Sequence, residues 1–322
     1  MRFNPRARLD TSRVRDAGGG GRTSLGRAGS RRGGVGLGLL ASVFLRVGWK
    51  GRIAIALAAV LLLTVATCGG PDLLGLRGQT AYSPGRMADA DTGDRYAHCR
   101  TGADANADPD CARVAVENSL TDYWADELGG DFRPISSLTT FTGGVTTQCG
   151  TATTAVGPFY CPADLGIYLD TTFFDDVLER ELGGPDGGFV EFYVLAHEYG
   201  HHVSNLLGYL GRVRSQDTGP QSQTTRLELQ ADCYAGMWAH HATTTEDASG
   251  QPLVLDLTRR DVDLALEAAA AVGDDHIQQQ TRGQTNPETW NHGSSAQRMR
   301  WFTVGYEQGS LRACDTFAAD RV

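Results

Sequence analysis

An α+β fold, mostly helical with a small sheet and set behind an N-terminal apolar segment, is what this 322-residue sequence predicts. Three observations carry that expectation. Apolar residues recur at helical spacing over much of the chain beyond residue 112. Two short runs, Ile135–Phe141 and Gly166–Asp170, have strand composition between turn-forming residues. An uninterrupted apolar stretch, Ile53–Thr67, precedes both. A hydrophobic content of 41% excludes disorder throughout, and 41 glycines without a triplet period exclude collagen.

Residues 1–34 are rich in Gly, Arg and Ser, have no apolar periodicity, and read as flexible. Val35–Trp49 is apolar but broken by Arg46, whereas Ile53–Thr67 has the composition of a membrane span at the short end of the range. Lys50, Arg52 and the arginines before them lie on one side of it, and Pro71 and Asp72 follow on the other. The positive-inside rule then predicts a single-pass protein of the cell membrane, with everything after Cys68 extracytoplasmic. A cleaved signal peptide and a lipoprotein signal ending at Cys68 are the alternatives, and both also export the remainder. The expected organisation is a basic flexible cytoplasmic tail over 1–52, a membrane segment over 53–70, a linker with a disulfide loop over 71–111, and a globular domain over 112–322.

Charge separates these parts. Residues 1–52 hold 12 basic and two acidic side chains, and the rest holds 17 against 36. A globular part this acidic repels phosphate backbones, so nucleic acid is not an expected partner. Of the seven cysteines, six follow the apolar segment, an even number consistent with three disulfides in an oxidising compartment. Cys99–Cys111 and Cys149–Cys161 would close short loops and leave Cys233 for Cys314, although six cysteines allow about 15 connectivities.

Within the domain, Val116, Leu120, Trp124 and Leu128 recur every four residues until Gly129-Gly130, predicting a helix over 112–128. Further helices are expected near 171–182, 188–207, 224–241, 259–272 and 294–308. Asp104, Asn106, Asp108 and Asp110 alternate as in a calcium loop. Pro109 and Ala115 stand where such a loop needs Gly and Glu, so a disulfide-closed acidic loop is expected instead.

The chemistry concentrates in His197-Glu198-Tyr199-Gly200-His201. On a helix, residues four apart lie one turn apart on the same face, so His197 and His201 can converge on one metal ion. Glu198 beside them can reach a metal-bound water as general base. His202 is turned away from that face and reads as structural, and His240-His241 reads as a surface pair at a helix end. Ser204 and Leu207 stand where a metzincin needs Gly and His. A carboxylate ligand is therefore sought downstream, where Glu228 and Asp232 share a helix face. Glu228 as third ligand and Asp232 as a hydrogen-bond partner of a ligand histidine make a gluzincin-type set for Zn2+.

The stretches AVGPFYCPADLGIYLDTTFFDD (155–176), VLAHEYGHHV (194–203), RLELQADCYAG (226–236), AVGDDHIQQQ (271–280) and HGSSAQRMRWF (292–302) resemble the neutral zinc metallopeptidases of bacteria. The resemblance implies a zincin-like fold over 112–322, peptide-bond hydrolysis, and an N-terminal membrane segment. It places zinc on His197, His201 and Glu228 with Glu198 as the catalytic acid/base, and Cys149, Cys161, Cys233 and Cys314 match family cysteines. The expected activity is a zinc-dependent metalloendopeptidase acting on proteins or peptides outside the cytoplasm. A membrane-tethered scaffold with an idle or structural zinc site is the alternative, which an intact Glu198 disfavours. His292, just before a predicted helix, is a candidate oxyanion donor, or else a loop or capping residue. Arg298 is an alternative donor or a structural anchor. The strand Gly166–Asp170 is expected to lie along the cleft and pair with an extended substrate.

Overall fold

The computed structural model describes residues 1–19, 95–213 and 217–322, which belong to one compact unit. Helices begin where the sequence offers caps. Pro109 follows the N-cap Asp108 and opens α2 (Pro109–Leu128), after a short α1 (Gly102–Ala107) whose capping box joins Thr101 and Asp104. Gly188–Leu206 forms α3, and Ser222 caps α4 (Gln223–His241) by accepting from the Thr225 amide. Thr258 caps α5 (Arg259–Ala271), α6 covers Asp274–Arg282, and Ser294 caps α7 (Ser295–Gln308). Phe174–Glu181 is wound as a π-helix rather than an α-helix.

The strands are β1 (Arg2–Phe3), β2 (Val14–Gly19), β3 (Ser137–Thr142), β4 (Gly144–Thr147), β5 (Gly150–Thr153), β6 (Phe159–Cys161), β7 (Gly166–Asp170) and β8 (Val254–Asp256). The main sheet runs β2-β3-β7-β6, with β2, β3 and β7 parallel and β6 antiparallel to β7. A β1–β8 pair and a β4–β5 hairpin stand apart from it. The fold is thus α+β.

The core joins α2, α3, α4 and α7 beneath the sheet, with Trp124, Tyr199, Leu195, Trp238 and Phe302 almost wholly buried. Backbones approach closely at glycines. A Cβ on Gly200 would lie 2.9 Å from the Cα of Ala231, so that position fixes how near α3 comes to α4. All six cysteines of the unit are paired, as Cys99–Cys111, Cys149–Cys161 and Cys233–Cys314.

Three expectations need correction. Residues 1–19 are not a flexible tail: they supply β1 and β2, and Phe3, Ala7 and Val14 are buried in the core. Their partners lie about 90 residues away or more, so no local periodicity announces them. Residues 95–111 are not linker, since Tyr96 and Cys99 are buried and α1 packs on α2. The acidic run there is no loop. Asp104 and Asp108 cap helices, Asn106 bonds the Phe3 backbone at both its amide and its carbonyl, and Asp110 pairs with Arg95 and Arg113. The apolar segment Ile53–Thr67, Val35–Trp49 and Cys68 lie outside the described residues. Among the described residues no helix is long and apolar enough to cross a membrane.

Candidate metal centre

Two helices build the centre. The inward face of α3 carries His197, Glu198 and His201, and α4 crosses it at Gly200–Ala231, presenting Glu228 one turn earlier. Nε2 of His197 lies 3.3 Å from one Glu228 carboxylate oxygen, and Nε2 of His201 lies 3.5 Å from the other. One donor atom from each of the three residues falls within 4.8 Å of the others. A tetrahedral ion bound at about 2.0–2.1 Å separates its ligand atoms by roughly 3.3 Å, so these spacings fit zinc. The donor set fits as well, with two imidazoles and a carboxylate in a partly dry pocket. The second metal-compatible grouping among the described residues, His98 with Cys99 and Cys111, has its sulfurs joined in a disulfide.

The first histidine is held from behind. Asp232, fully buried, takes His197 Nδ1 at 2.8 Å, the Tyr193 hydroxyl at 2.6 Å, and Arg298 Nε and Nη2 at 2.8 and 2.9 Å. An acceptor at Nδ1 fixes the tautomer with its lone pair on Nε2, facing the metal position. Burial disfavours the His197 imidazolium, yet the Asp232 carboxylate carries its pKa up to about 9. Burial likewise opposes ionisation of Asp232, but Arg298 and His197 hold it at about 2. Glu228, raised by burial, is brought well below the carboxylate range by His201 and His197. The three side chains could hold a metal ion.

Arg298 is spent on this network, since its remaining Nη1 donates to the Val272 carbonyl. It anchors Asp232 and also lines the cleft beside His197. His202 points the other way, with Nε2 against the Arg133 carbonyl at 2.7 Å and Nδ1 against the Tyr160 hydroxyl at 3.1 Å. His240 and His241 bond the Tyr306 and Gly309 carbonyls, which ties the end of α4 to the end of α7.

A cleft of about 640 Å3 opens over His197, His201 and Glu228, and Glu198 and His292 both line it. His292 stands half exposed, its Nδ1 3.2 Å from Asp274 Oδ1, which leaves Nε2 for the cleft. Asp274 Oδ2 accepts the backbone amides of Asn291, His292 and Gly293 at 2.8, 2.7 and 3.0 Å and so pins the loop. Burial opposes protonation of His292, and Asp274 and Glu228 raise its pKa in spite of that. Reasoning from sequence missed Asp274 and Tyr193. Asp274 reads as an ordinary acid in the first turn of a helix, and its partners stand 17 to 19 residues further on. The strand lying along the cleft is also different from the one expected. β7 is enclosed by β3 and β6 and has no free edge, whereas β6 is the edge strand, and Phe159 and Tyr160 line the cleft.

The sequence model of a family described as "Putative neutral zinc metallopeptidase" matches residues 6–317. The chain belongs to this family. Uncharacterized protein Rv2575 of Mycobacterium tuberculosis is 54% identical over 222 residues, 69% of this chain and 75% of that protein. Uncharacterized protein YpfJ of Escherichia coli is 43% identical over 185 residues, 56% of this chain and 61% of that protein. No solved structure matches this member of the family.

Proposed function

We propose that this family member is a zinc-dependent metalloendopeptidase of zincin-like, gluzincin-type architecture that hydrolyses peptide bonds of proteins or peptides outside the cytoplasm. One observation supports this most: Glu198 and His292 line the same cleft as the three converging ligands, from different elements. A structural metal site has no use for an unpaired carboxylate beside it, and a scaffold has no use for a histidine poised across a cleft.

His197, His201 and Glu228 would hold the ion, which supplies Lewis acidity toward a peptide carbonyl and toward water. The chain's own groups do the rest. Glu198 takes a proton from the attacking water and passes it to the leaving amine. His292, backed by Asp274, donates a hydrogen bond from Nε2 to the carbonyl oxygen as negative charge develops there. The free edge of β6 accepts an extended substrate by strand addition, leaving its scissile bond near the metal. The three disulfides suit an oxidising compartment, with membrane attachment through Ile53–Thr67.

Glu198→Gln tests the reading. The variant should retain zinc and the fold while hydrolysis of a quenched casein or peptide library falls by orders of magnitude. Unchanged turnover in the zinc-loaded variant would remove Glu198 from the chemistry, and a zinc-loaded wild type inert toward every peptide would remove the activity.

A further inference from the structure

We propose that residues 1–19 are a fixed part of the catalytic unit and share its compartment, so that the apolar stretch between them does not place them on opposite sides of a membrane. This stands independently of the peptidase reading.

The arm has a built seat. β2 pairs in parallel with β3, matching Val14 with Leu138, Arg15 with Thr139 and Asp16 with Thr140. β1 pairs with β8, and the Asn4 amide bonds the Leu253 carbonyl. Asn118 holds the Asp10 backbone from both sides, accepting its amide at 2.7 Å and donating to its carbonyl at 2.9 Å. At the start of α1 a Cβ on Gly102 would fall 2.0 Å from the Asn4 carbonyl oxygen, so the glycine leaves room for the arm. The family match also begins inside the arm, at residue 6.

Charge makes the seat obligatory. The Glu117 side chain on α2 is fully buried, and Arg13 Nε meets its carboxylate at 2.8 Å. Thr121 donates to the same carboxylate at 3.0 Å and lies 3.0 Å from the Tyr199 hydroxyl, on the helix that carries both ligand histidines. Without the arm, a buried carboxylate beside the metal-binding helix loses its cation, the kind of loss that costs a fold severely. An exposed β3 edge would appear as well.

A bilayer core is about 30 Å thick, and no β-ladder pairs across it. If residues 20–94 crossed once, β2 and β3 would be separated and Glu117 stranded. Cleavage after Cys68 would likewise sever the covalent link to the arm. The cytoplasmic placing of the first residues is therefore replaced: residues 1–19 and 95–322 lie on one side, and the disulfides make that side oxidising.

The test uses the full chain carrying Cys68→Ser, Arg15→Cys and Thr139→Cys. Intact cells are quenched with N-ethylmaleimide before lysis, and nonreduced peptides are mapped by mass spectrometry. A disulfide between positions 15 and 139 in most of the protein is the expected result. Alkylated thiols at both positions, in protein whose Cys149–Cys161 bond has formed, would overturn the proposal. Should the paired variant fail to accumulate, Ser12→Cys in the Cys68→Ser background replaces it, because Ser12 is exposed on the arm. A membrane-impermeant maleimide should label position 12 in intact spheroplasts as fully as after permeabilisation. Labelling only after permeabilisation would place the arm across the membrane and refute the inference.

Discussion

Replacing Asp232 with Asn keeps the shape of the side chain and removes its charge, at a residue that four hydrogen-bond donors surround. Two costs follow. The first falls on Arg298, a buried guanidinium left facing a neutral amide. Asp232 titrates at about 2 against 3.8 for a free carboxyl, and about 1.4 kcal/mol per unit makes that difference worth about 2–3 kcal/mol. Losing one partner of a buried ion pair commonly costs about 3–5 kcal/mol, so a loss near 3 kcal/mol is expected at pH 7. The second cost falls on His197. The Asn carbonyl keeps the three donors that meet Oδ1, but His197 Nδ1–H then faces a neutral oxygen in place of a carboxylate, Nε2 becomes less basic, and zinc affinity should drop about 10–100-fold. Because the Asp232 pKa is lowered in the folded state, its contribution is present above the free carboxyl value and fades as pH falls toward about 2. Urea denaturation of the zinc-free proteins should therefore show curves that separate at pH 7 and converge between about pH 4 and 2. Competition with a chromogenic chelator measures the zinc side. Adding Arg298→Met should recover at least about 1 kcal/mol by removing the stranded cation. A variant within about 0.5 kcal/mol of wild type at pH 7 with zinc affinity unchanged would refute the account, as would a gap that persists at pH 2.

Three further outcomes follow from other parts of the molecule. Gly200→Ala must push α3 away from Ala231, and overpacking of about 1–3 kcal/mol there should weaken zinc at least about tenfold in the same chelator assay, whereas an unaltered affinity would mean that the crossing does not set the ligand spacing. Asp122 is raised to about 6 by burial and by Asp247 and Glu117, so its charge opposes folding once pH exceeds the free carboxyl value; Asp122→Asn should stabilise by about 1–2 kcal/mol at pH 7 and by nothing at pH 4, measured by thermal denaturation at both. His292→Ala should keep zinc and stability while kcat/KM falls about 10²–10³, and undiminished kcat would assign His292 to the loop alone.

What could be read in the sequence divides by range of interaction. Helices α3, α4, α5 and α7 stand within a residue or two of their expected limits because caps such as Thr258 and Ser294 and one-turn periodicities are local. The candidate site shares that legibility: His197 and His201 are four apart, and Glu228 and Asp232 are four apart. The arm was opaque. Val14–Gly19 is short, glycine-rich and without alternation, and it becomes a strand only because Leu138 and its neighbours offer a free edge. Asp274 was opaque for a similar reason, since its acceptor role depends on a loop that folds back over the start of its own helix. Three-residue β6 fell below the length at which alternation carries information.

The bond between Cys233 and Cys314 has a bearing on when this protein can act. It spans 81 residues and fastens α4, the helix bearing Glu228 and Asp232, to the end of the chain. Closing a loop of that length restricts the unfolded chain by about 4–5 kcal/mol, comparable with the whole margin by which many domains stay folded. A newly synthesised chain in a reducing cytoplasm lacks that restraint, and the third ligand is then carried on a helix without its fastening. In the exported peptidase proposed above, the helix bearing Glu228 would gain this fastening only once the chain reaches an oxidising compartment.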